Sequence, residues 1–250
     1  MGVQNDHVAT FLTDLAMPES ARWHDGRFWC SDWVAGEVLA AGLDGTVDVL
    51  ANSTSFPFCF DWLPDGSMVV TATTGLERLQ PGRAGEIGAL VPFVDMTGLI
   101  SRGWNEVVVD PRGNAFVNSP NFDMSHGFDF DVGSRSGVIA VVTPAGDARL
   151  IADGVAFPNG MAISPDGSTL IVAESFASRL SAWDIDGDGG LSNRRVWASL
   201  DNGADGKTLF MVANQWNGYE NIGKGPRRGR VYTVEVDVPA AGVGHPVGRP

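Results

Sequence analysis

The sequence predicts an all-β chain, a β-propeller of four-stranded antiparallel blades. Three observations lead there. A hairpin unit recurs along the chain, an apolar strand running through a Gly-bearing turn into a second strand rich in β-branched and aliphatic residues. The turn glycines Gly26, Gly66, Gly113, Gly167 and Gly206 stand about 40 to 54 residues apart, the length of one propeller blade. No convincing amphipathic helical period separates the units, which disfavours architectures that need covering helices.

The fullest copy of the unit runs from Phe157 to Glu174. Phe157-Pro158-Asn159-Gly160-Met161-Ala162-Ile163 passes through Ser164-Pro165-Asp166-Gly167, where Gly can take positive φ, into Ser168-Thr169-Leu170-Ile171-Val172-Ala173-Glu174. In chain order, the first copy leads from Glu19 through Asp25-Gly26 into Arg27-Phe28-Trp29-Cys30-Ser31-Asp32. The second, Phe58 to Gly66 and then Ser67 to Ala72, has no polar leading residue. The third is led by Asn105 and turns at Pro111-Arg112-Gly113 into Asn114 to Asn118, and the fourth is led by Asn159. Of the fifth only the second half is present, Asp205-Gly206 followed by Lys207 to Ala213. Outer strands fill the intervals at 36–40, 137–142, 179–183 and 229–234, and an N-terminal strand near Val8 to Leu12 is positioned to close the ring on the last blade.

The chain has 250 residues, 44% hydrophobic and 19% charged, with 32 Gly and 14 Pro. That suits one loop-rich globular domain over residues 1–250, with 239–250 expected as a loose tail. A net charge of -13 argues against nucleic acid or an anionic membrane as partner, since either needs clustered positive charge. Cys30 and Cys59 match no metal spacing and read as buried free thiols. The N-terminus lacks a basic region and Thr13 and Asp14 interrupt its apolar run, so no signal peptide is expected. No stretch is long and apolar enough to span a bilayer, and a cytoplasmic protein is the default expectation. Oligomeric state is not readable from these features.

Glu19 lies seven residues before Gly26, and Asn105 and Asn159 each lie eight before Gly113 and Gly167. In a propeller such leading residues ring the mouth of the central channel, where one carboxylate and two amides would converge as hard oxygen donors. Such a set favours Ca²⁺, Mg²⁺ or Mn²⁺ over a His- and Cys-rich Zn²⁺ site. The alternative is that these side chains only cap turns. Asp184-Ile185-Asp186-Gly187-Asp188-Gly189 copies the start of an EF-hand loop, but Arg195 stands where a bidentate Glu is required, so a Gly-rich hairpin is expected. His7, His24, His126 and His245 are scattered, with no recognisable nucleophile elbow near them. The 121–130 insertion, which includes Phe122, is either a lid on the substrate mouth or a packed surface loop.

Pro18 to Trp23, Trp104 to Asp110, Phe157 to Glu174, Leu191 to Trp197 and Asp205 to Met211 together resemble the SMP-30/gluconolactonase/LRE-like family, in order and over most of the chain. The resemblance implies a propeller that has six blades in the family and five recognisable ones here. It also implies a hydrolase of a sugar lactone or related small ester, with one divalent metal ion as Lewis acid. Ca²⁺ comes first as that ion, with Zn²⁺, Mn²⁺ and Mg²⁺ as alternatives. Carried over by position, Glu19 and Asn159 match metal ligands and Asn105 matches the asparagine near metal and substrate, so Asn105 counts with both; Arg102 and, through the insertion as a lid, Phe122 are the further substrate-binding candidates. Two departures accompany the match. The family's arginine two residues before Asn105 is replaced by Gly103, with Arg102 beside it, and the catalytic aspartate of the next blade has no counterpart between Trp197 and Asp205 except Asp201. Counting eight back from Gly206 lands on Ala198. A non-catalytic propeller that binds metal or a small ligand is therefore the alternative expectation.

Overall fold

The computed structural model describes residues 8–83, 86–122, 136–177, 179–199, 209–213 and 229–234. An N-terminal strand, β1 (Val8–Leu15), is followed by β2 (Pro18–His24), β3 (Arg27–Asp32), β4 (Glu37–Ala41) and β5 (Val47–Asn52), which form blade 1. Blade 2 comprises β6 (Phe60–Trp62), β7 (Met68–Ala72), β8 (Gly75–Gln80) and β9 (Ala89–Asp95). Blade 3 comprises β10 (Val107–Val109), β11 (Ala115–Ser119), β12 (Gly137–Val142) and β13 (Ala148–Val155). Blade 4 comprises β14 (Pro158–Ile163), β15 (Thr169–Glu174), β16 (Arg179–Ile185) and β17 (Leu191–Ser199). Strands β18 (Leu209–Ala213) and β19 (Gly229–Val234) join β1 in a three-stranded sheet, order β1-β19-β18. The protein is an all-β propeller whose helical content, among the described residues, is a single 3-10 turn at Ser175–Ala177 with an isolated helical position at Ser136. No helix among those residues is long and apolar enough to cross a membrane.

The chain forms two compact units, residues 1–50 with 203–250, and residues 51–202. In the first, Leu12 and Leu15 of β1 pack with Phe28, Cys30, Leu39 and Ala41 of blade 1, and β1 runs antiparallel to β19 with Val8 opposite Val234. The expected pairing of the N-terminal strand with the last sheet is present. In the second unit a core lies between blades 3 and 4, where Phe116, Ile139, Val141, Leu170 and Val172 are buried together with Trp183. These residues alternate along their strands and so share one face of each sheet, while the residues between them on β11 and β12 are buried on the opposite face.

The repeated turns close as the sequence suggests. Gly26, Gly66, Gly113 and Gly167 all have positive φ, between 71° and 88°. At each of the last three, the glycine N–H donates to the carbonyl of the residue three before it, Leu63, Asp110 or Ser164. The EF-hand-like stretch is the hairpin between β16 and β17, with the Asp186 N–H bonded to the Gly190 carbonyl at 2.9 Å and the Asp184 carboxylate taken by Arg195 at 2.6 Å. Both cysteines are buried and free. Burial, aided by nearby Asp32, pushes the Cys30 thiol up to about 12, so it is inert packing.

Candidate functional site

Within the second unit, the two leading asparagines are fixed through their main chains. The Asn105 N–H donates to the Asn118 carbonyl (2.8 Å), and its own carbonyl accepts from Thr71 Oγ1 (3.0 Å), a fully buried hydroxyl on β7 of the preceding blade. Asn159 is treated alike, its carbonyl accepting from Asn118 Nδ2 at 2.7 Å. Asn118 is fully buried on β11. Its Oδ1 receives the Glu106 N–H at 3.4 Å and its backbone N–H donates to the Glu106 carbonyl at 3.0 Å, so it clamps the Asn105-Glu106 segment while it holds Asn159. Both leaders have their main-chain carbonyls engaged, which leaves the side-chain amides to bind something else. That of Asn105 is 4% exposed by residue and has no hydrogen-bond partner among the described residues.

A second layer of support recurs from blade to blade. Asp32 and Ser119 stand six residues past their turn glycines and Glu174 stands seven past its own, each buried at the end of the second strand. Each ties down the loop that delivers the leader. Asp32 accepts the N–H groups of Ala16 (2.6 Å) and Met17 (2.8 Å), just before Glu19. Ser119 Oγ donates to the Gly103 carbonyl (2.8 Å), two residues before Asn105. Glu174 accepts the Ala156 N–H (2.8 Å), three before Asn159. Blade 2, whose leading residue Phe58 is apolar and fully buried, has Ala72 at this position. Polar support is thus present where a polar leader must be aimed and absent where it need not be.

Glu174 is the most heavily engaged of the three. Its carboxylate is shut away from solvent and takes Arg179 (3.0 Å), Arg194 (3.1 Å), the Ser181 hydroxyl and the Ala156 N–H. Burial raises its pKa, but hydrogen bonds from Arg179, Ser181, Ala156 and Arg194 outweigh burial and lower it from 4.5 to about 2. Arg194 also donates to the Gly154 carbonyl (3.1 Å), so the entire approach to Asn159 is pinned.

The remaining predicted residues fall as follows. Glu19 lies half-buried on β2 in the first unit, its carbonyl accepting from Ser31 Oγ at 3.3 Å. Arg102 is exposed. Phe122 is only 6% exposed, its ring 5.7 Å from Phe157 and 6.0 Å from Phe176, so it backs those half-buried rings instead of standing open in a loop. Ala198 is not a leader: it sits within β17 opposite Leu180. The count from Gly206 lands inside β17, which continues to Ser199. Asp201, Asp205, Gly206, His7, His126, His245, most of the 121–130 insertion and the 239–250 tail lie outside the described residues. The sequence did not single out Thr71, Asn118, Asp32, Ser119 or Glu174. Their signal was a polar residue five to seven places past the turn glycine, in or at the end of an otherwise apolar strand.

Among the described residues, no three His, Cys, Asp or Glu side chains gather closely enough to hold a metal ion. A metal centre built from those residues would have to draw on amide oxygens such as those of Asn105 and Asn159, a donor set that suits a hard cation. The blades and their anchored leaders define a β-propeller that presents oxygen donors at the leading ends of its hairpins. The model of the SMP-30/gluconolactonase/LRE-like region matches residues 17–224, and the chain belongs to that family. A diisopropyl-fluorophosphatase of Loligo vulgaris is 29% identical over 134 residues, 48% of this chain. That match spans 43% of the relative's length. Among solved structures, a gluconolactonase from Xanthomonas campestris superposes with a TM-score of 0.64 at 21% identity, over 92% of this chain and 89% of the other. A calcium-binding regucalcin from Agrobacterium tumefaciens gives 0.66 at 16% identity, over 92% and 94%. At these identities the likeness of the solved structures establishes the fold.

Proposed function

We propose that this protein is a divalent-metal-dependent hydrolase that opens a sugar lactone or cleaves a related small ester. Family membership and the hydrolase names of its relatives support the reaction class. The observation that carries the proposal is Asn105: its carbonyl is held by Thr71 while its side-chain amide has no hydrogen-bond partner among the described residues. The Glu19 carboxylate and the Asn159 amide oxygen would hold the ion, Ca²⁺ first among the choices. When bound, such an ion polarises the ester carbonyl and offsets the negative charge that develops on its oxygen.

The chain's own residues do the rest. Asn105 orients the carbonyl and the incoming water, and Arg102 and the Phe122-backed rings flank the substrate. Asp201 removes a proton from the water as its oxygen bonds to the carbonyl carbon, then returns that proton to the leaving oxygen as the ester bond breaks. Such general-base assistance contributes about 10²–10⁴ in rate. The Thr71 and Asn118 clamps keep the leaders in place before substrate arrives, so that little reorganisation is needed in the reaction.

The test is hydrolysis of gluconolactone with Ca²⁺, Mn²⁺ or Zn²⁺, against an EDTA control and the Glu19→Ala variant. Activity should fall to the uncatalysed rate in both controls and return when metal is restored to the wild type alone. Equal rates in every sample would leave a folded propeller without this chemistry.

A further inference from the structure

A second feature lies at the other end of the hairpins from Asn105 and Asn159, between blades 2 and 3. There the turns at Pro64-Asp65 and Arg112-Gly113 meet the turn at Thr143-Pro144 and enclose a cleft of about 270 Å³. Gly113 makes room for it: at φ 88° it carries no side chain, and a Cβ there would stand 3.3 Å from Pro144 and 3.5 Å from Pro64. Leu63, Phe93, Ala115 and Val142 supply an apolar lining.

The cleft contains two guanidinium groups in different states. Arg112 is spoken for, bonded to Asp110 through Nε (2.9 Å) and Nη2 (2.8 Å) and to the Asp186 carbonyl through Nη1 (3.2 Å). Arg78, on β8 opposite Val69 and Val91, is not. It lies 4.2 Å over the Phe93 ring, its Nε is buried without an acceptor, and it forms no salt bridge among the described residues, although its charge adds to the Ser67 hydrogen bonds in lowering the Asp65 pKa. Its anionic neighbour Asp65 is turned to Ser67, whose hydroxyl (2.6 Å) and N–H (2.9 Å) occupy one carboxylate oxygen. In a chain of net charge -13 this is conspicuous. Arg27, Arg112, Arg149, Arg179, Arg194 and Arg195 each have a carboxylate.

We propose that this cleft is a binding site for a small organic carboxylate with a compact apolar or aromatic body. The outer nitrogens of Arg78 take the acid group, the pairing for which a planar guanidinium fork is suited. The prolines, Phe93 and the floor at Gly113 and Ala115 take the hydrocarbon. Phe93 stacks the guanidinium from one side and holds it in place, which lowers the ordering cost of binding. The site is separate from the leader mouth and does not depend on the hydrolase proposal.

Benzoate is the probe, with benzyl alcohol as its neutral analogue, followed by calorimetric titration and thermal shift in EDTA. Benzoate should bind saturably to the wild type and raise its melting temperature, while benzyl alcohol does neither. Arg78→Leu should weaken binding about tenfold or more, as loss of a charge-assisted hydrogen bond implies. Arg78→Lys, which keeps the charge without the fork, should retain part of the affinity, and the exposed Arg83→Leu should retain all of it. Without ligand, Arg78→Leu should melt at or above the wild-type temperature, because a buried donor with no acceptor has been removed. Absence of saturable benzoate binding, equal binding by wild type and Arg78→Leu, or binding lost in Glu19→Ala but kept in Arg78→Leu would each overturn the proposal.

Discussion

Glu174 shows how one buried side chain can govern a residue it never touches. Its carboxylate collects two arginines, a serine hydroxyl and the Ala156 N–H, and the last of these fixes the turn into Asn159. Because the folded-state pKa is lowered from 4.5 to about 2, the stabilisation is fully present above about pH 4.5 and is lost as the pH falls through about 2. Glu174→Gln keeps the shape and removes the charge. At neutral pH it should cost about 2–3 kcal/mol, less than the roughly 3–5 for breaking a fully buried pair, since Arg179 and Arg194 remain 34% and 35% exposed. Urea unfolding of both proteins at pH 7 and in steps down to pH 2.5 checks this. The gap between them should narrow steadily on the acid side of pH 4.5, and a gap independent of pH would mean that the charge does not carry the effect.

Blade by blade, the hairpins were legible because their signal is local: a turn glycine flanked by runs of β-branched residues needs no knowledge of what packs on it. The positions of Glu19, Asn105 and Asn159 in the repeat were readable for the same reason, seven or eight places before that glycine, and their role as ligands belongs to the proposal. Their supports were not readable. Thr71 and Asn118 act on the blade that follows their own, and Asp32 and Glu174 lie at the ends of apolar strands, where an acid reads as a strand terminus and its buried partners cannot be seen. The miscount at Ala198 has a related cause, since strand length is set by pairing with β16 and not by β17 alone. Gly137 is a further case of a residue whose role only packing reveals. A Cβ there would come within 2.2 Å of the Val155 carbonyl oxygen and 2.3 Å of Pro158 Cδ, so β12 tolerates only glycine beside the start of β14. Gly137→Ala should destabilise the protein by about 1–3 kcal/mol through overpacking. It should also displace Pro158 and hence Asn159, so if Asn159 is a ligand as proposed, metal affinity should fall in calorimetry even at temperatures where the variant is folded. Unchanged affinity would show that the approach to Asn159 has more slack than its contacts imply.

Across the whole chain, strands distant in sequence share one sheet, since β1 near the N-terminus pairs along its length with β19. That pairing crosses more than 200 residues and so carries a high loop-closure cost, which it recovers only when the blades between are formed. β1 should therefore form late and open early. It is also the strand that converts the β18-β19 hairpin into a three-stranded sheet, and a hairpin alone is marginal in water. Its inward residues Leu12 and Leu15 pack on Phe28 and Cys30, so losing them also opens the core of blade 1. Deletion of residues 8–15 should then lower the melting temperature and abolish amide-exchange protection in β18 and β19 and weaken it in β3. Protection within blades 3 and 4 should persist, because their buried core of Phe116, Ile139, Leu170 and Trp183 contains nothing from β1. Hydrogen exchange read by mass spectrometry separates these outcomes. Uniform loss of protection in every blade would mean that the molecule unfolds as one cooperative unit and that β1 is its keystone; selective loss in the first unit would mean that the two compact units open independently.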